Sequence, residues 1–308
     1  MIAAVIPLAL ATPADAQTKV LAYVANVGSG TVSVVDTAGN KLIGTIKIGG
    51  SPENVALTPD GSRAYVTLTG GGVVVIDTDT NTKTATIDVG PGPRGLALTP
   101  DGSHAYVTRA GGTVAVIDTD TNTKTATIDV DSAPRGVAVG DSAYVANTGS
   151  DTVSVIDTDT NTKTATLDVG DFPQGVAVSP DAAYVTNSNA GTVSAIDTGT
   201  NDVSSIKVGA FPLGVAAALV NGANAYVANF DAGTVSVINT ASGTIAGTVN
   251  VGGNPQGVAV NGDSTRVYVA NASTDKLSVI DTGDNSVVST VDVGEDPFGV
   301  AVGSVPES

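Results

Sequence analysis

The arginines are the residues of this sequence whose type and placement most clearly indicate chemistry. The 308-residue chain contains five of them, and three, Arg94, Arg109 and Arg135, lie in consecutive stretches of the chain. Guanidinium groups that converge favour a planar anion, such as a carboxylate or a phosphate, which they bind through parallel hydrogen bonds. In a chain with a formal net charge of -17, such a cluster would also reverse the local field. These residues suggest an anion-binding site, provided that the fold brings them together.

The sequence offers few groups for catalysis. Its single histidine, His104, lies in an Asp-Gly-Ser-His turn with no acid or nucleophile beside it, which favours an exposed turn residue over a general base. The lack of a second histidine argues against the usual Ser-His-Asp arrangement and against three-histidine metal sites. The lack of cysteine excludes disulfides, thiolate nucleophiles, iron–sulfur clusters and attached c-type haem. We predict no catalytic residue and expect no cofactor.

A repeated acidic segment could be taken for a metal loop. Asp-Thr-Asp-Thr-Asn occurs three times, beginning at Asp77, Asp118 and Asp157. Oxygen ligands at alternate positions resemble a calcium loop, but the following residue is Thr82 where such a loop needs glycine. Asx and Thr side chains also close hairpins by bonding to nearby backbone. We therefore predict hairpin turns here and no metal site.

Charge and the N-terminal segment bear on partners and location. Only 13 basic residues oppose 30 acidic ones, which argues against binding to DNA, RNA or anionic lipid. Residues 1–16 combine an apolar run with an Ala-Asp-Ala site and predict a secretory signal, although the usual basic residues are missing. The alternative is a disordered or helical tail, and two prolines argue against a membrane span. We expect a secreted, periplasmic or cell-surface protein.

One short stretch, Tyr-Val followed by Ala or Thr, organises the rest of the chain. It occurs seven times, at intervals of 42, 41, 38, 40, 42 and 42 residues, and contains every tyrosine of the sequence. A repeat of this length indicates a structural unit that stacks on copies of itself. Each unit has four short segments rich in β-branched residues and bounded by turn residues, which predicts strands. No segment shows the apolar period of a helix.

Four antiparallel strands in about 40 residues predict the blade of a β-propeller. The chain enters at a second strand and ends with an orphan first strand, Gly299 to Val302. If this strand joins the N-terminal blade, the ring closes without open edges. We therefore predict an all-β, seven-bladed propeller of four-stranded blades, forming a single domain over residues 17–308. Because the tyrosines occur in every repeat, we expect them to be packing anchors.

The repeats resemble the YVTN family of propeller repeats. The resemblance rests on Tyr184-Val185-Thr186-Asn187 and its counterparts, on the Val-Ile-Asp-Thr that follows, and on the Pro-x-Gly-Val-Ala that opens most repeats. It covers nearly the whole chain after the N-terminal segment. It implies a seven-bladed propeller of the kind found in exported and surface-layer-like prokaryotic proteins. It implies little about activity, because propellers serve as enzymes and as binding scaffolds.

Function is expected where the repeats differ. The residue between Pro and Gly-Val-Ala varies and precedes the innermost strand, so its seven copies should surround one mouth of the central channel: Glu53, Arg94, Arg135, Gln174, Leu213, Gln256 and Phe298. Loops on the same face carry the other arginine and the remaining phenylalanines. The predicted ligand-binding residues are Glu53, Arg94, Arg109, Arg135, Phe172, Gln174, Phe211, Phe230, Gln256 and Phe298. The alternative is that the phenylalanines fill gaps between blades and the arginines pair with carboxylates such as Asp171.

The sequence thus predicts an exported, monomeric, non-enzymatic binding or scaffold propeller. Its channel mouth would take a small amphipathic anion or an acidic peptide segment, with the phenylalanines against the apolar part. The competing hypothesis is a lactonase- or lyase-like propeller enzyme at the same mouth, although such enzymes normally carry histidines or a carboxylate–metal cluster there. A quinone-dependent dehydrogenase is less favoured still, because the chain has no tryptophan for the docking motifs of such propellers.

Overall fold

The chain folds into seven four-stranded antiparallel sheets, as seen in a computed structural model that describes residues 18–218 and 224–307. The strands are short because turn residues interrupt the β-branched runs every few positions. The helical structure of the described residues is one 3-10 turn, Ala272–Thr274, and no helix there is long and apolar enough to cross a bilayer. The predicted signal segment, residues 1–16, lies outside the described residues.

The strands of each blade follow one another along the chain. In blade 1 they are β1 (Thr18–Asn26), β2 (Thr31–Asp36) and β3 (Lys41–Lys47). Blades 2 and 3 contain β4 (Pro52–Leu57), β5 (Arg63–Leu68), β6 (Val73–Asp77), β7 (Thr82–Ile87), β8 (Pro93–Leu98), β9 (His104–Arg109), β10 (Thr113–Asp118) and β11 (Thr123–Asp129). Blades 4 and 5 contain β12 (Pro134–Val139), β13 (Ser142–Asn147), β14 (Thr152–Asp157), β15 (Thr162–Asp168), β16 (Pro173–Val178), β17 (Ala182–Asn187), β18 (Thr192–Asp197) and β19 (Val203–Lys207). Blades 6 and 7 contain β20 (Pro212–Ala217), β21 (Asn224–Asn229), β22 (Thr234–Asn239), β23 (Thr244–Asn250), β24 (Pro255–Val260), β25 (Arg266–Asn271), β26 (Lys276–Asp281) and β27 (Ser286–Asp292).

The ring closes through its last strand, as predicted. β28 (Pro297–Pro306) pairs antiparallel with β1 and is the first strand of blade 1. It is longer than the predicted Gly299 to Val302, because its pairing with β1 continues past the repeat as far as Thr18↔Pro306. Val305, near the end of this extension, is fully buried. The closing strand therefore contributes to the core as well as covering an edge.

The repeated tyrosines pack between adjacent blades. Tyr23 of blade 1 donates a hydrogen bond to Asn81 Oδ1 of blade 2 at 2.9 Å, and Tyr106 of blade 3 donates to Asn161 Oδ1 of blade 4 at 2.7 Å. Both rings are buried in hydrophobic clusters that join one blade to the next. Burial, with Asp157 nearby, raises the pKa of Tyr106 to about 12. These contacts confirm the predicted role of the tyrosines as packing anchors.

The Asp-Thr-Asp-Thr-Asn segments form hairpins between the third and fourth strands of their blades. Asp77 Oδ1 accepts hydrogen bonds from the Thr80 amide at 2.8 Å and the Thr80 hydroxyl at 2.7 Å, and these bonds lower the pKa of Asp77. Asn81 follows with a φ of 52°, in the left-handed region that Asn adopts more readily than most residues. The carboxylate that would be the first ligand of a calcium loop therefore closes the turn.

Glycine is the third residue of the first strand in most blades because neighbouring backbones meet there. A Cβ added to Gly95 would lie 2.2 Å from the carbonyl oxygen of Arg135, and one added to Gly136 would lie 2.2 Å from that of Gln174. No side chain fits at such a distance. The first strands therefore approach one another closely and form the wall of a narrow central channel.

Candidate binding site at the channel mouth

The variable residues that precede the inner glycines meet at one end of the channel. Six of them line a cavity of about 200 Å³: Glu53, Arg135, Gln174, Leu213, Gln256 and Phe298. The seventh, Arg94, contacts Glu53. The chain positions them by the same device in each blade, a proline that starts the strand and a bulge just after it. We call this set of seven residues the mouth ring.

One buried carboxylate lies between two arginines of the mouth ring. Glu53 Oε1 is 3.6 Å from Arg94 Nη1 and 3.5 Å from Arg135 Nη2. The Glu53 side chain is 7% exposed, whereas those of Arg94 and Arg135 are 38% and 32% exposed. Charge-assisted hydrogen bonds are usually about 2.7–2.9 Å long. Both guanidinium groups are therefore attracted to Glu53, but most of their N–H donors are not used by it.

Burial governs the titration of this cluster. It raises the pKa of Glu53, although the guanidinium groups of Arg135 and Arg94 act in the opposite direction. It also lowers the pKa of Arg135, although Glu53 opposes that effect. Two positive groups share one negative group, so the cluster keeps a net positive charge in a strongly acidic protein.

The backbone of both arginines is held by threonines of the preceding blade. Thr67 Oγ1 donates to the Arg94 carbonyl at 2.7 Å, and Thr108 Oγ1 donates to the Arg135 carbonyl at 2.5 Å. Thr108 also accepts a hydrogen bond from the Gly95 amide at 2.9 Å. Neither threonine is among the site residues predicted from the sequence. The sequence does carry a signal for them, because the residue after Tyr-Val is Ala in some blades and Thr in others. It is Thr in blades 2 and 3, which precede the two blades whose mouth-ring residue is arginine.

Arg135 extends across the mouth of the channel. Its guanidinium carbon lies 5.9 Å from the centroid of the Phe298 ring, in the range of a cation–π contact. Arg135 is the second residue of β12 in blade 4 and Phe298 is the second residue of β28 in blade 1, so the contact joins blades that are not neighbours. The residues that line the cavity thus include the charged Arg135 and Glu53 and the apolar Phe298 and Leu213.

Gln174 is the most deeply buried glutamine of the mouth ring. The residue is 4% exposed, and its Nε2 atom is buried without a hydrogen-bond partner among the described residues. Gln256 occupies the same position in blade 7 and is half-buried. The residues that line the cavity therefore include two carboxamides, one of them almost fully buried.

Arg109 does not join the other two arginines, which corrects the expected cluster of three. Its Nη1 donates to the Val89 carbonyl at 2.7 Å and its Nε donates to the Thr113 hydroxyl at 2.9 Å. The cause is the hairpin register, which pairs Arg109 directly with Thr113. The guanidinium group is therefore directed into the loop between blades 2 and 3, where it donates a hydrogen bond to a backbone carbonyl.

Three phenylalanines of the predicted set also lie away from the cavity. Phe211 and Phe230 pack edge to face, with ring centroids 6.2 Å apart, and the Phe230 amide donates to the Phe211 carbonyl at 3.0 Å. The carbonyl of Phe172 accepts a hydrogen bond from the Ser188 amide. The described residues that line the cavity include none of these three. The edge-to-face contact of Phe211 and Phe230 is consistent with the alternative that phenylalanines fill gaps in the packing, whereas Phe298 lines the cavity.

Comparison with known proteins supports the architecture. No protein-family model matches the chain, and comparison with curated proteins gives no match. A functionally unknown protein from Desulfotomaculum acetoxidans DSM 771 is 19% identical, with a TM-score of 0.74 over 93% of this chain and 99% of that one. Hydrazine synthase of Kuenenia stuttgartiensis is 19% identical, with a TM-score of 0.66 over 83% and 96%. AztD of Citrobacter koseri is 15% identical, with a TM-score of 0.63 over 95% and 100%.

These similarities show the fold alone, because proteins this distant share architecture without sharing chemistry. The chain is a seven-bladed β-propeller, and its binding chemistry has to be inferred from the mouth ring.

Proposed function

We propose that this protein is an exported, non-enzymatic binding propeller whose channel mouth takes a small monoanion with an apolar part. The observation that carries the proposal is the convergence of Arg94 and Arg135 on the single carboxylate of Glu53. Each guanidinium group has five N–H donors, more than a shared carboxylate oxygen can accept. A carboxylate from a ligand would use the remaining donors and neutralise the excess positive charge.

The cavity favours a small ligand over an acidic peptide. Its volume of about 200 Å³ is below the roughly 300–1,000 Å³ typical of pockets for drug-sized molecules. Phe298 and Leu213 supply the apolar contacts for a single ring or a short chain. A ligand with its carboxylate at the arginines and its apolar part against Phe298 would contact both the charged and the apolar residues of the cavity lining.

We also infer that the chain is an exported YVTN-type repeat protein. The support is Tyr-Val-(Ala or Thr) in the second strand of all seven blades, together with the signal-like composition of residues 1–16. Expression of the full chain in a bacterium, followed by cell fractionation and intact-mass measurement, tests this inference. Export with cleavage after Ala16 is the expected result, and an uncleaved cytoplasmic chain would contradict it.

The binding proposal is tested by calorimetric titration with benzoate at low and high salt. We expect saturable binding that weakens as salt increases, because the arginines are partly open to solvent. The double variant Arg94→Gln/Arg135→Gln should lose binding. Its matched control is Arg63→Gln/Arg266→Gln, which changes the net charge equally at arginines outside the mouth ring.

The double variant leaves Glu53 buried without its partners and could lose stability for that reason. The triple variant that adds Glu53→Gln removes this orphaned charge and should also fail to bind. Benzoate binding that persists in a folded triple variant would refute the proposed site.

A further inference from the structure

We propose that the mouth ring takes up a proton from solvent when it binds its anion, and that Glu53 accepts this proton. The inference rests on the proposed function and adds regulation to the same site, because the anion would be captured at low pH and released as the pH rises. The structural relationship that carries it is the approach of Arg94 and Arg135 to a single buried carboxylate.

Two carboxylates would have to share one pair of arginines. A ligand carboxylate that binds Arg94 and Arg135 becomes the second anion at guanidinium groups that already face Glu53. Like charges at one site disfavour the ionisation of each other. The Glu53 side chain is 7% exposed, whereas the arginines that face the ligand are 38% and 32% exposed. Glu53 is therefore the carboxylate that gains more by becoming neutral.

The arrangement of the cluster is compatible with a neutral Glu53. Arg94 and Arg135 both approach Glu53 through its Oε1 atom. A proton on the other oxygen, Oε2, would leave Oε1 facing both guanidinium groups. The coupling requires no contact between the ligand and Glu53, because it acts through the electric field of the bound charge. Burial already raises the pKa of Glu53, and an anion bound nearby would raise it further.

Other charged groups on the surrounding strands do not explain such a coupling. The strands that pack most against β4 are β1, β5, β8 and β28. β1 and β5 carry Lys19 and Arg63, which the strand register places at the ends away from the mouth. β28 carries no charged residue, so the charged groups beside the buried carboxylate are Arg94 of β8 and Arg135 of β12. The single histidine, His104, begins β9 at the same end of its blade as Arg63 does in blade 2.

A carboxylate outside the mouth ring provides the control. The loop before β28 contains Glu295 and Asp296. Partial burial, with Asp275 nearby, raises the pKa of Asp296. Asp296 is thus the carboxylate near the mouth that would most readily imitate the proposed role of Glu53.

Two measurements on the folded protein test the coupling. In a pH-stat titration, benzoate is added to weakly buffered protein, and the acid needed to hold the pH counts the protons taken up. Calorimetric titration from about pH 5 to about pH 9 gives the affinity where benzoate, like other carboxylates, stays ionised. We expect the wild-type affinity to fall about fivefold over this range as the pH rises. By linkage, a fivefold change corresponds to a maximum uptake of about 0.4 proton per benzoate.

Two variants assign the proton to a residue. Glu53→Gln keeps the size of the side chain and removes its ionisation, so this variant should bind benzoate without proton uptake and with an affinity that does not depend on pH. Asp296→Asn makes the same kind of change outside the mouth ring and should keep both the uptake and the pH dependence. Thermal melts at each pH establish that the proteins are folded.

The outcomes separate this inference from the proposed function. Benzoate binding that requires the arginines but takes up no proton would overturn this inference alone. Uptake that persists in Glu53→Gln, or that is lost in Asp296→Asn, would likewise overturn the assignment to Glu53. If benzoate does not bind the folded wild-type protein, the proposed function fails and this inference fails with it. The wild-type proton count needs no variant, so it remains decisive if Glu53→Gln does not fold.

Discussion

The Glu53 carboxylate and the Arg135 guanidinium group lie 3.5 Å apart, although their strands belong to blades 2 and 4. The ion pair therefore passes over blade 3, whose own member of the ring, Arg94, approaches the same carboxylate oxygen. Glu53 acts as an internal counter-ion that holds two cations from separate blades in one place. It also competes with any anion that arrives from solvent.

Removal of this internal counter-ion should strengthen anion binding. We expect Glu53→Gln to bind benzoate about fivefold more tightly at low salt, which corresponds to about 1 kcal/mol for one unit charge close to the ligand in a solvated site. The gain should shrink as salt is added, since the site is partly exposed. Calorimetric titration of both proteins measures the effect, and equal affinities at low salt would show that Glu53 does not face the bound anion.

Glu53 should also make stability depend on pH. Burial raises its folded-state pKa above the ordinary value of 4.5, so the folded protein retains a proton that the unfolded chain has released. The free energy of unfolding contributed by this group therefore falls as the pH rises from about 4.5 through the raised pKa. Urea unfolding of wild type and Glu53→Gln across this interval measures it as the difference between the two proteins. A difference that does not change with pH would contradict the burial of an ionisable Glu53.

The sequence was sufficient to predict the blades because each blade repeats the same contacts. Tyr23 and each of its copies lie in a hydrophobic cluster with residues of the next blade, so one periodic pattern predicts the ring and its closure. The extension of β28 beyond Val302 was not predictable in this way, because its pairing with Thr18 has no counterpart in the other blades.

The site was predictable only in part. Position in the repeat predicted which residues reach the mouth ring, because the bulged first strand is the same in each blade. The pairing of Glu53 with Arg135 was not predictable, because it depends on how far each side chain extends across the ring. The order of the blades along the chain does not determine that distance. Arg109 was misplaced because the sequence does not reveal that its guanidinium group reaches the Val89 carbonyl.

Thr108 should hold Arg135 in position without contacting the ligand. We expect Thr108→Val to lower the free energy of unfolding by about 1–2 kcal/mol and the benzoate affinity by about fivefold, because a partly buried hydrogen bond to the arginine backbone is lost. Thr186 makes the equivalent bond to the Leu213 carbonyl at 2.6 Å. Thr186→Val should therefore cost similar stability and leave the salt dependence of benzoate binding unchanged. Equal losses of affinity in the two variants would show a general packing defect.

Asn81 combines two roles that substitutions can separate. It has a left-handed φ of 52° and accepts the Tyr23 hydroxyl, whereas blade 6 has Gly243 at the same turn position with a φ of 65°. Asn81→Gly should cost about 1 kcal/mol, the value of the lost hydrogen bond. Asn81→Ala should cost about 1–2 kcal/mol more, because its Cβ disfavours the left-handed conformation. Chemical denaturation of both variants measures the costs, and an alanine variant as stable as the glycine variant would contradict the turn geometry.

Closure of the ring should be essential for folding. Removal of residues 297–308 deletes β28, including the fully buried Val305, and exposes the edge of β1 in blade 1 together with the inner faces of the flanking blades. The loss of a ten-residue strand from the core should exceed about 5 kcal/mol, which is comparable to the whole stability of many domains. We expect the truncated protein to lose its cooperative thermal transition or to aggregate through the exposed edge. A control that lacks only residues 307–308 keeps every paired residue of β28 and should melt like the full chain. A cooperative melt of the longer truncation at the wild-type temperature would mean that six complete blades and three strands form a stable ring without the C-terminal strand, and closure would then be dispensable.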